Sequence, residues 1–281
     1  MQQATYAFGY YGGKLSHLSR LLPLLPECHT YVEPFGGSAA VLLNRAPSPV
    51  EAYNDLDGGV ATFFRVLRDR QRELVRALEL TPYGRAEFAG ACEGYSGDEL
   101  EDARRFFVRV AQSRYNLPDP SPGQWSFCVS DSRGDMSSAV SAWLSNIDGL
   151  MAVAERLRRV QIENLPALEL IARYDTEGTL FYLDPPYLPT TRKDKIAYAH
   201  EMTVVDHRDL CDELHRCSAR IALSGYEDEI YTTWFSDWYC TKLPARTSAA
   251  SNTAGTRTAR TEVLWTNYDP ADVTGQRRLF A

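Results

Sequence analysis

Apolar residues near the N-terminus form two short runs, and each run is followed by polar positions that mark a turn. Residues 30–33 predict a buried strand, 35–38 a tight glycine turn, and 39–44 the start of a helix. Residues 50–54 predict a second strand, which ends at Asp55. This order of strand, glycine turn, helix, strand and acid is typical of the first half of a doubly wound α/β sheet.

The pattern changes at about residue 58, where apolar residues recur at helical spacing. It predicts helices over 60–80, 100–112 and 139–160. Between 116 and 137 the chain is instead rich in Pro, Gly, Ser and Asp, as in an irregular loop. We therefore expect a mainly helical insertion at 58–159.

Alternation between strands and helices returns after residue 160. The predicted elements are a strand at 179–183, a helix at 206–217, and strands at 220–224 and 263–267. The stretch 242–260, rich in Ser, Thr, Ala and Arg, predicts a loop. The chain is thus predicted to be an α/β protein with one domain formed by residues 1–57 and 160–281, interrupted by the helical insertion.

Composition narrows the class of protein. The 281 residues are 44% hydrophobic and 24% charged, which excludes disordered and fibrous classes. No run of eighteen apolar residues and no signal-peptide pattern is present. Six scattered cysteines lack a C-x-x-C pair, and five histidines lack metal-ligand spacing. We therefore expect a cytoplasmic protein with reduced thiols and no metal. The formal charge of −7 argues against a protein that simply coats nucleic acid.

The predicted strand 179–183 is followed directly by Asp184-Pro185-Pro186-Tyr187. The carboxyl edge of such a sheet is where α/β folds bind ligands. Two prolines remove two backbone donors, so neighbouring carbonyls stay available as acceptors. A carboxylate, a carbonyl and an aromatic ring together suit a planar group with an exocyclic amine. The alternative is an ordinary proline-rich turn in which Tyr187 only packs.

This tetrapeptide is the last of four motifs in a particular order. Gly12-Gly13-Lys14, the segment 33–39 (EPFGGSA), Asp55 and then Asp184-Pro185-Pro186-Tyr187 resemble the Dam-like adenine-N6 DNA methyltransferases of the alpha arrangement. The resemblance covers residues 8 to about 268. It implies a Rossmann-like methyltransferase sheet with an inserted target-recognition domain. It also implies S-adenosyl-L-methionine as cofactor and double-stranded DNA as partner.

The same resemblance implies which residues line the cofactor site. Glycines at 36 and 37 let the backbone approach the methionine part of the cofactor, and Asp55 is expected to accept hydrogen bonds from the ribose hydroxyls. The full expected set is Tyr10, Lys14, Phe35, Gly36, Gly37, Asp55, Asn164, Leu165 and Asp184. Two positions depart from the family pattern. Ala39 stands where the family motif has its last glycine, and Tyr10 stands where the family commonly has a tryptophan.

The implied catalytic residues are Asp184, Pro185 and Tyr187. The target adenine must leave the duplex before it can react, and Tyr187 is expected to stack on the extruded base. The Asp184 carboxylate and the Pro185 carbonyl are expected to accept hydrogen bonds from the two N6 protons. This pushes electron density back towards the nitrogen, so catalysis depends on positioning and electrostatics.

DNA contacts are expected in the insertion and just after the catalytic tetrapeptide. Arginine and glutamine can bind base edges in the major groove, whereas lysine mostly contacts phosphate. The candidates are Arg114, Asn116, Gln124, Trp125, Arg133, Arg192 and Lys193. For each arginine the alternative is a solvated surface charge, and Trp125 can equally be a core residue.

Other functions share parts of this pattern. Cytosine-N4 enzymes usually carry Ser before Pro-Pro, so Asp184 favours adenine, while adenine-N6 methylation of RNA needs the same pocket. A catalytically silent DNA-binding module does not require Lys14, Asp55 and Asp184 together. A nicotinamide-dependent dehydrogenase is excluded by the missing G-x-G-x-x-G pattern. The family implies bacterial or phage origin, and a cognate restriction endonuclease is a candidate partner.

Overall fold

Seven strands form one sheet in the part of the chain that the computed structural model describes, which is residues 4–10, 13–114, 116, 121–130, 135–188, 201–243 and 261–274. The strands are β1 (Thr30–Glu33), β2 (Val50–Asn54), β3 (Gln161–Glu163), β4 (Thr179–Leu183), β5 (Arg220–Tyr226), β6 (Tyr239–Leu243) and β7 (Glu262–Thr266). They are ordered β3-β2-β1-β4-β5-β7-β6. Strands β1 to β5 run parallel, and β7 is antiparallel to both of its neighbours. This mostly parallel sheet confirms the predicted doubly wound, Rossmann-like α/β fold class.

Helices cover both faces of the sheet. They are α1 (Leu18–Leu21), α2 (Ala40–Asn44), α3 (Gly58–Asp69), α4 (Gln71–Glu79), α5 (Arg85–Ala91), α6 (Glu99–Gln112), α7 (Ser138–Leu157), α8 (Ala167–Tyr174), α9 (Val204–Leu214), α10 (Glu229–Trp234) and α11 (Pro270–Thr274). Short 3-10 turns lie at Lys14–Ser16, Leu22–Leu24 and Pro122–Gln124.

Three of the predicted strands have the predicted bounds. β1, β2 and β4 agree with their predicted ranges, and nearly every side chain in them is buried. β5 continues two residues beyond the predicted end at 224, and β7 spans 262–266 rather than 263–267.

Three predicted helices are corrected, and one of them is α7, which spans 138–157 rather than 139–160. The single helix expected over 60–80 is two helices, α3 and α4, because Arg70 leaves helical geometry with φ −129° and ψ 36°. α9 begins at 204 rather than 206 and ends at 214 rather than 217. Its start is fixed by a reciprocal cap, in which the Thr203 hydroxyl accepts from the Asp206 amide and the Asp206 carboxylate accepts from the Thr203 amide.

The edge strands β3 and β6 have no counterpart in the sequence prediction. β6 is mostly solvent-exposed and includes Cys240 and Lys242, so it lacks the apolar run that predicts a buried strand. The loop predicted for 242–260 therefore overlaps the end of β6, and residues 244–260 lie outside the described ones. α5 and α8 were likewise not predicted.

The core lies on both faces of the sheet. One face, with Tyr31 and Leu180, packs in the same cluster as Phe63, Phe107 and Trp143 from the helices between β2 and β3. The other face, with Phe181 and Trp265 among its members, is covered by α8, α9 and α10. The inserted helices therefore share a core with the sheet. The exact division at 58 and 159 stays a prediction.

A crevice follows from the strand order. β1 lies between β2 and β4, so the chain leaves β1 towards one edge and β4 towards the other. At such a switch point the carboxyl ends of the strands open into a crevice that binds ligands in α/β folds. Among the described residues, no helix is long and apolar enough to cross a membrane.

Candidate active site

A cleft of about 600 Å³ opens at the carboxyl ends of β1, β2 and β4. Its walls come from the N-terminal segment, the glycine turn after β1, and the starts of α8 and α9. Seven carboxylates line it, namely Glu33, Asp55, Asp57, Asp184, Glu201, Asp206 and Asp209. Lys14 is the cation among its described lining residues, and it is already paired with Asp184. The cleft is therefore suited to a positively charged ligand.

The glycine turn is held against β2 by close packing. A Cβ on Gly36 would lie 2.1 Å from the ring of Tyr53, so only glycine fits there. Gly37 has φ 50° in the left-handed region, its carbonyl accepts from the Tyr53 hydroxyl at 2.6 Å, and its amide donates to Asp55 Oδ2 at 2.8 Å. Ala39 also lies in the left-handed region, at φ 54°, where the family pattern has glycine. The turn thus fixes the Asp55 carboxylate at the cleft wall.

The expected aromatic and lysine positions also line the cleft. Tyr10 and Phe35 are among its lining residues, and a Cβ added at Gly37 would lie 3.4 Å from the Tyr10 ring. Lys14 is buried, with its side chain 4% exposed. Burial alone lowers the pKa of Lys14, but the carboxylates of Asp184 and Glu262 outweigh it and raise the pKa, so Lys14 stays an ammonium ion.

Asp184 and Tyr187 form a hydrogen-bonded group with Lys14. The Lys14 ammonium lies 2.8 Å from Asp184 Oδ1 and donates to the Tyr187 hydroxyl at 2.7 Å. That hydroxyl donates to Asp184 Oδ1 at 3.0 Å. The Tyr226 ring packs edge-on against Tyr187, with 4.6 Å between ring centroids. Asp184 and Pro186 line the cleft, while Pro185 is buried beneath them.

Asn164 and Leu165 hold the end of β2 to the end of β3. Asn164 Nδ2 donates to the Asp55 carbonyl at 2.6 Å, and the Leu165 amide donates to Asn54 Oδ1 at 2.8 Å. The cleft itself is lined by the next three residues, 166–168. Direct contacts of Asn164 and Leu165 with a ligand stay a prediction.

Sequence analysis did not assign a role to Glu33, although it opens one of the motifs. Glu33 is buried at the end of β1 and accepts a 2.7 Å hydrogen bond from the Tyr31 hydroxyl. Burial raises the pKa of Glu33 to about 8, against the opposing effect of the Tyr31 hydrogen bond. Its position directly before Pro34 and the glycine turn is the signal that could have identified it.

Glu262 and His17 also had no predicted role. Glu262 on β7, which is distant in sequence, lies 3.8 Å from the Lys14 ammonium, and His17, three residues after Lys14, lies 3.5 Å from Glu262. Only the order of strands in the sheet brings β7 close to Lys14, and no local sequence pattern predicts this contact. Tyr182 on β4 also lines the cleft.

Of the candidate DNA-binding residues that the structure describes, Arg114, Gln124 and Trp125 lie together, since the Arg114 amide donates to the Gln124 carbonyl and Ser113 pairs with Trp125. Arg114 is exposed above the Phe127 ring, whereas Gln124 uses its side-chain oxygen to cap its own turn by accepting from the Ser121 amide. Asn116 packs against Gly9, where a Cβ would lie 2.7 Å from its side-chain nitrogen. Arg133, Arg192 and Lys193 lie outside the described residues.

Trp125 is half-buried and stacked within the insertion. Its indole nitrogen donates to Gln112 at 3.2 Å, and the Arg85 guanidinium lies 4.6 Å from its ring. Phe127 stacks on it at 6.2 Å and is itself 55% exposed. No group of three or more His, Cys, Asp or Glu side chains that could hold a metal occurs in the described ranges.

Comparison with known families gives the same result as the motifs. A search of curated proteins gave no match. A family model described as D12 class N6 adenine-specific DNA methyltransferase matches residues 10–248. That range includes the glycine turn, Asp55, the inserted helices and Asp184, and so confirms the resemblance to Dam-like enzymes. The chain belongs to the D12 class of N6 adenine-specific DNA methyltransferases.

Proposed function

We propose that the chain binds S-adenosyl-L-methionine in the acidic cleft and methylates N6 of an adenine that has left a DNA duplex. The observation that carries this proposal is the Asp184 carboxylate, which lies on the cleft wall and is hydrogen-bonded to Tyr187 and ion-paired with Lys14. When bound, the cofactor supplies an electrophilic methyl group on a positively charged sulfur.

The residues of the cleft fit that cofactor. Its sulfonium and ammonium groups are cationic, and seven acidic side chains line a space of about 600 Å³. We propose that Asp55, held by the Gly37 amide, accepts hydrogen bonds from the ribose hydroxyls. Tyr10 and Phe35 provide aromatic surface, and Gly36 and Gly37 allow close approach of the backbone. Asn164 and Leu165 are proposed to shape the part of the site that binds the adenine of the cofactor, by positioning residues 166–168.

Asp184 and Pro185 are proposed to bind the target amine. The carboxylate and the Pro185 carbonyl accept hydrogen bonds from the two N6 protons, so the nitrogen lone pair is less delocalised into the ring. Positive charge that develops on N6 during the reaction is stabilised by the carboxylate, which then takes the departing proton. Much of the rate enhancement comes from this fixed geometry.

Tyr187 is proposed to stack on the extruded base. Its hydroxyl bonds to Asp184 and Lys14 and the edge-on contact with Tyr226 fix the ring, so little rotamer entropy is lost when a base binds. Base–aromatic stacking contributes about 1–3 kcal/mol per base in other proteins.

We further propose that the insertion contacts double-stranded DNA. Arg114, with Phe127 beneath its guanidinium, and the half-buried Trp125 lie on one part of the insertion. Asn116, Gln124, Arg133, Arg192 and Lys193 complete the proposed set. Because DNA is the substrate, we also propose that the enzyme acts in the cytoplasm and is encoded by a bacterium or a phage. A cognate restriction endonuclease is its proposed partner.

The test is long-read modification mapping of DNA from a methylation-free host that expresses the chain. The wild type is expected to place N6-methyladenine in one short motif, and Asp184→Ala to abolish it. Asp212→Ala is the matched control, since Asp212 is an exposed acid on α9 outside the cleft.

Cofactor titration of the purified proteins separates binding from chemistry. Asp184→Ala is expected to stay folded, because Asp184 lies at the surface of the cleft rather than in the core. Methylation retained in Asp184→Ala would disprove the proposed mechanism. Unmodified DNA from a folded, cofactor-binding wild type would direct the search to RNA.

A further inference from the structure

The Lys14 ammonium lies between two carboxylates. Asp184 Oδ1 is 2.8 Å away and Glu262 Oε1 is 3.8 Å away, on the neighbouring part of the sheet. The closer carboxylate is the one that our proposed function assigns to the target amine. Glu262 has no role in that function as described so far.

Glu262 is held in an unusual state for a buried carboxylate. Its side chain is 13% exposed, and within the described residues Oε2 is buried without a hydrogen-bond partner. His17 Nδ1 lies 3.5 Å from this oxygen, beyond good hydrogen-bond geometry. A buried polar oxygen that is not hydrogen-bonded is destabilising, so such a group calls for an explanation.

The chemistry proposed for Asp184 explains why Glu262 carries an oxygen without a hydrogen-bond partner. A lysine ammonium that stays on Asp184 competes with the target amine for the carboxylate oxygens. It also repels the positive charge that develops on N6 during methylation. A shift of about 1 Å by the flexible Lys14 side chain would bring its ammonium to Glu262.

We propose that Glu262 is a positioning residue for methyl transfer, because it draws the Lys14 ammonium away from Asp184 when the target amine binds there. This inference rests on the proposed function of Asp184. Glu262 is not among the residues that line the cleft, and it acts through Lys14, which is. His17 lies 3.5 Å from Oε2, the carboxylate oxygen other than the one nearest Lys14.

The test is steady-state methylation of duplex DNA by Glu262→Gln. We expect kcat to fall about ten-fold to a hundred-fold, since displacements of about 1 Å near reacting groups have effects of this size. The KM for S-adenosyl-L-methionine should stay within about two-fold of wild type. Glu227→Gln is the matched control, because Glu227 also pairs with a lysine, Lys242, but on the surface.

A double-mutant cycle with Lys14→Met tests whether Glu262 affects kcat through Lys14. In the Lys14→Met background, Glu262→Gln should cause little further loss of kcat, because there is no ammonium left to move. A full and independent loss in that background would overturn the proposal. Unchanged kcat in the Glu262→Gln single variant would overturn it as well.

Folding and the parent proposal are tested separately. If Glu262→Gln fails to fold, Glu262→Asp is the second variant. Its shorter side chain keeps the negative charge but places it farther from the Lys14 ammonium, so the same fall in kcat is expected. An active wild type, an inactive Asp184→Ala and a fully active Glu262→Gln would refute this inference alone. An active Asp184→Ala would refute the proposed function on which it rests.

Discussion

Individual buried side chains carry the electrostatic character of the cleft. Glu33 is the clearest case, since it is buried beside Tyr31 at the end of β1 and its pKa is raised to about 8. At neutral pH it is therefore mostly protonated in the folded chain, although an unfolded chain would ionise it near its ordinary pKa of 4.5. A neighbouring cation in the cleft would favour its ionised form.

This raised pKa makes folding stability depend on pH. Below pH 4.5 both states bind the proton, and between pH 4.5 and about 8 only the folded state does. The free energy of unfolding contributed by Glu33 is therefore lost as pH rises through this window, by up to about 1.4 kcal/mol per pH unit. Glu33→Gln binds no proton in either state, so its stability relative to wild type should increase from pH 5 to 8.

Urea unfolding at five pH values between 5 and 9 would measure this difference. Glu177→Gln, at an exposed position, is the control and should follow the wild type at every pH. If Glu33→Gln also runs parallel to the wild type, Glu33 does not hold a proton in the folded protein.

At the scale of elements, the glycine turn after β1 is the most constrained segment. Gly36→Ala would force a methyl group to within 2.1 Å of the buried Tyr53 ring, so the turn or the ring must move. We expect a loss of about 1–3 kcal/mol in the free energy of unfolding. Chemical denaturation of the two proteins measures it.

Gly90→Ala is the matched control for that substitution. Gly90 lies in α5 with no neighbour within 4 Å of an added Cβ, so alanine should stabilise the helix by up to about 1 kcal/mol. Equal effects of the two substitutions would show that backbone entropy, rather than packing against Tyr53, dominates at Gly36.

The same scale explains which elements could be predicted from sequence. β1, β2 and β4 match their predicted ranges, and the acids directly after β2 and β4 place Asp55 and Asp184 at the same edge of the sheet. β6 is exposed and carries Cys240 and Lys242, so its pairing with β7 is decided by tertiary contacts. The contact of Glu262 with Lys14 depends on the strand order, which local sequence patterns do not reveal.

On the scale of the whole molecule, one buried ion pair ties the inserted helices to the sheet. Arg156 near the end of α7 donates to Glu51 on β2 at 2.5 and 2.7 Å and to the Leu42 carbonyl at 3.0 Å. The Glu51 side chain is fully buried. Arg156 thus joins α7 to both β2 and α2.

Arg156→Met should therefore be strongly destabilising. Among the described residues it leaves the buried Glu51 carboxylate with Arg45, 3.7 Å away, as its remaining cationic partner, and removing one partner of a buried pair costs about 3–5 kcal/mol in comparable cases. Arg158→Met is the control, since Arg158 is exposed and its pairing with Glu155 should contribute less than about 1 kcal/mol. Thermal unfolding compares the two.

A second substitution tests whether the buried charge is the cause. Replacing Glu51 as well, in Arg156→Met/Glu51→Gln, removes that charge and should recover part of the loss. No recovery would mean that Arg156 acts through packing alone.

The position of β7 between β5 and β6 has a consequence for synthesis on the ribosome. β6 can join the sheet only through β7, which is made after it, and Tyr268 bonds back to the Leu24 carbonyl across 244 residues. Chains dominated by contacts between residues far apart in sequence fold slowly, and they expose apolar surface until those contacts form. A nascent chain interrupted before β7 would hold Asp184 and Lys14 but an open sheet edge, so it should be removed by proteases before it could methylate a chromosome.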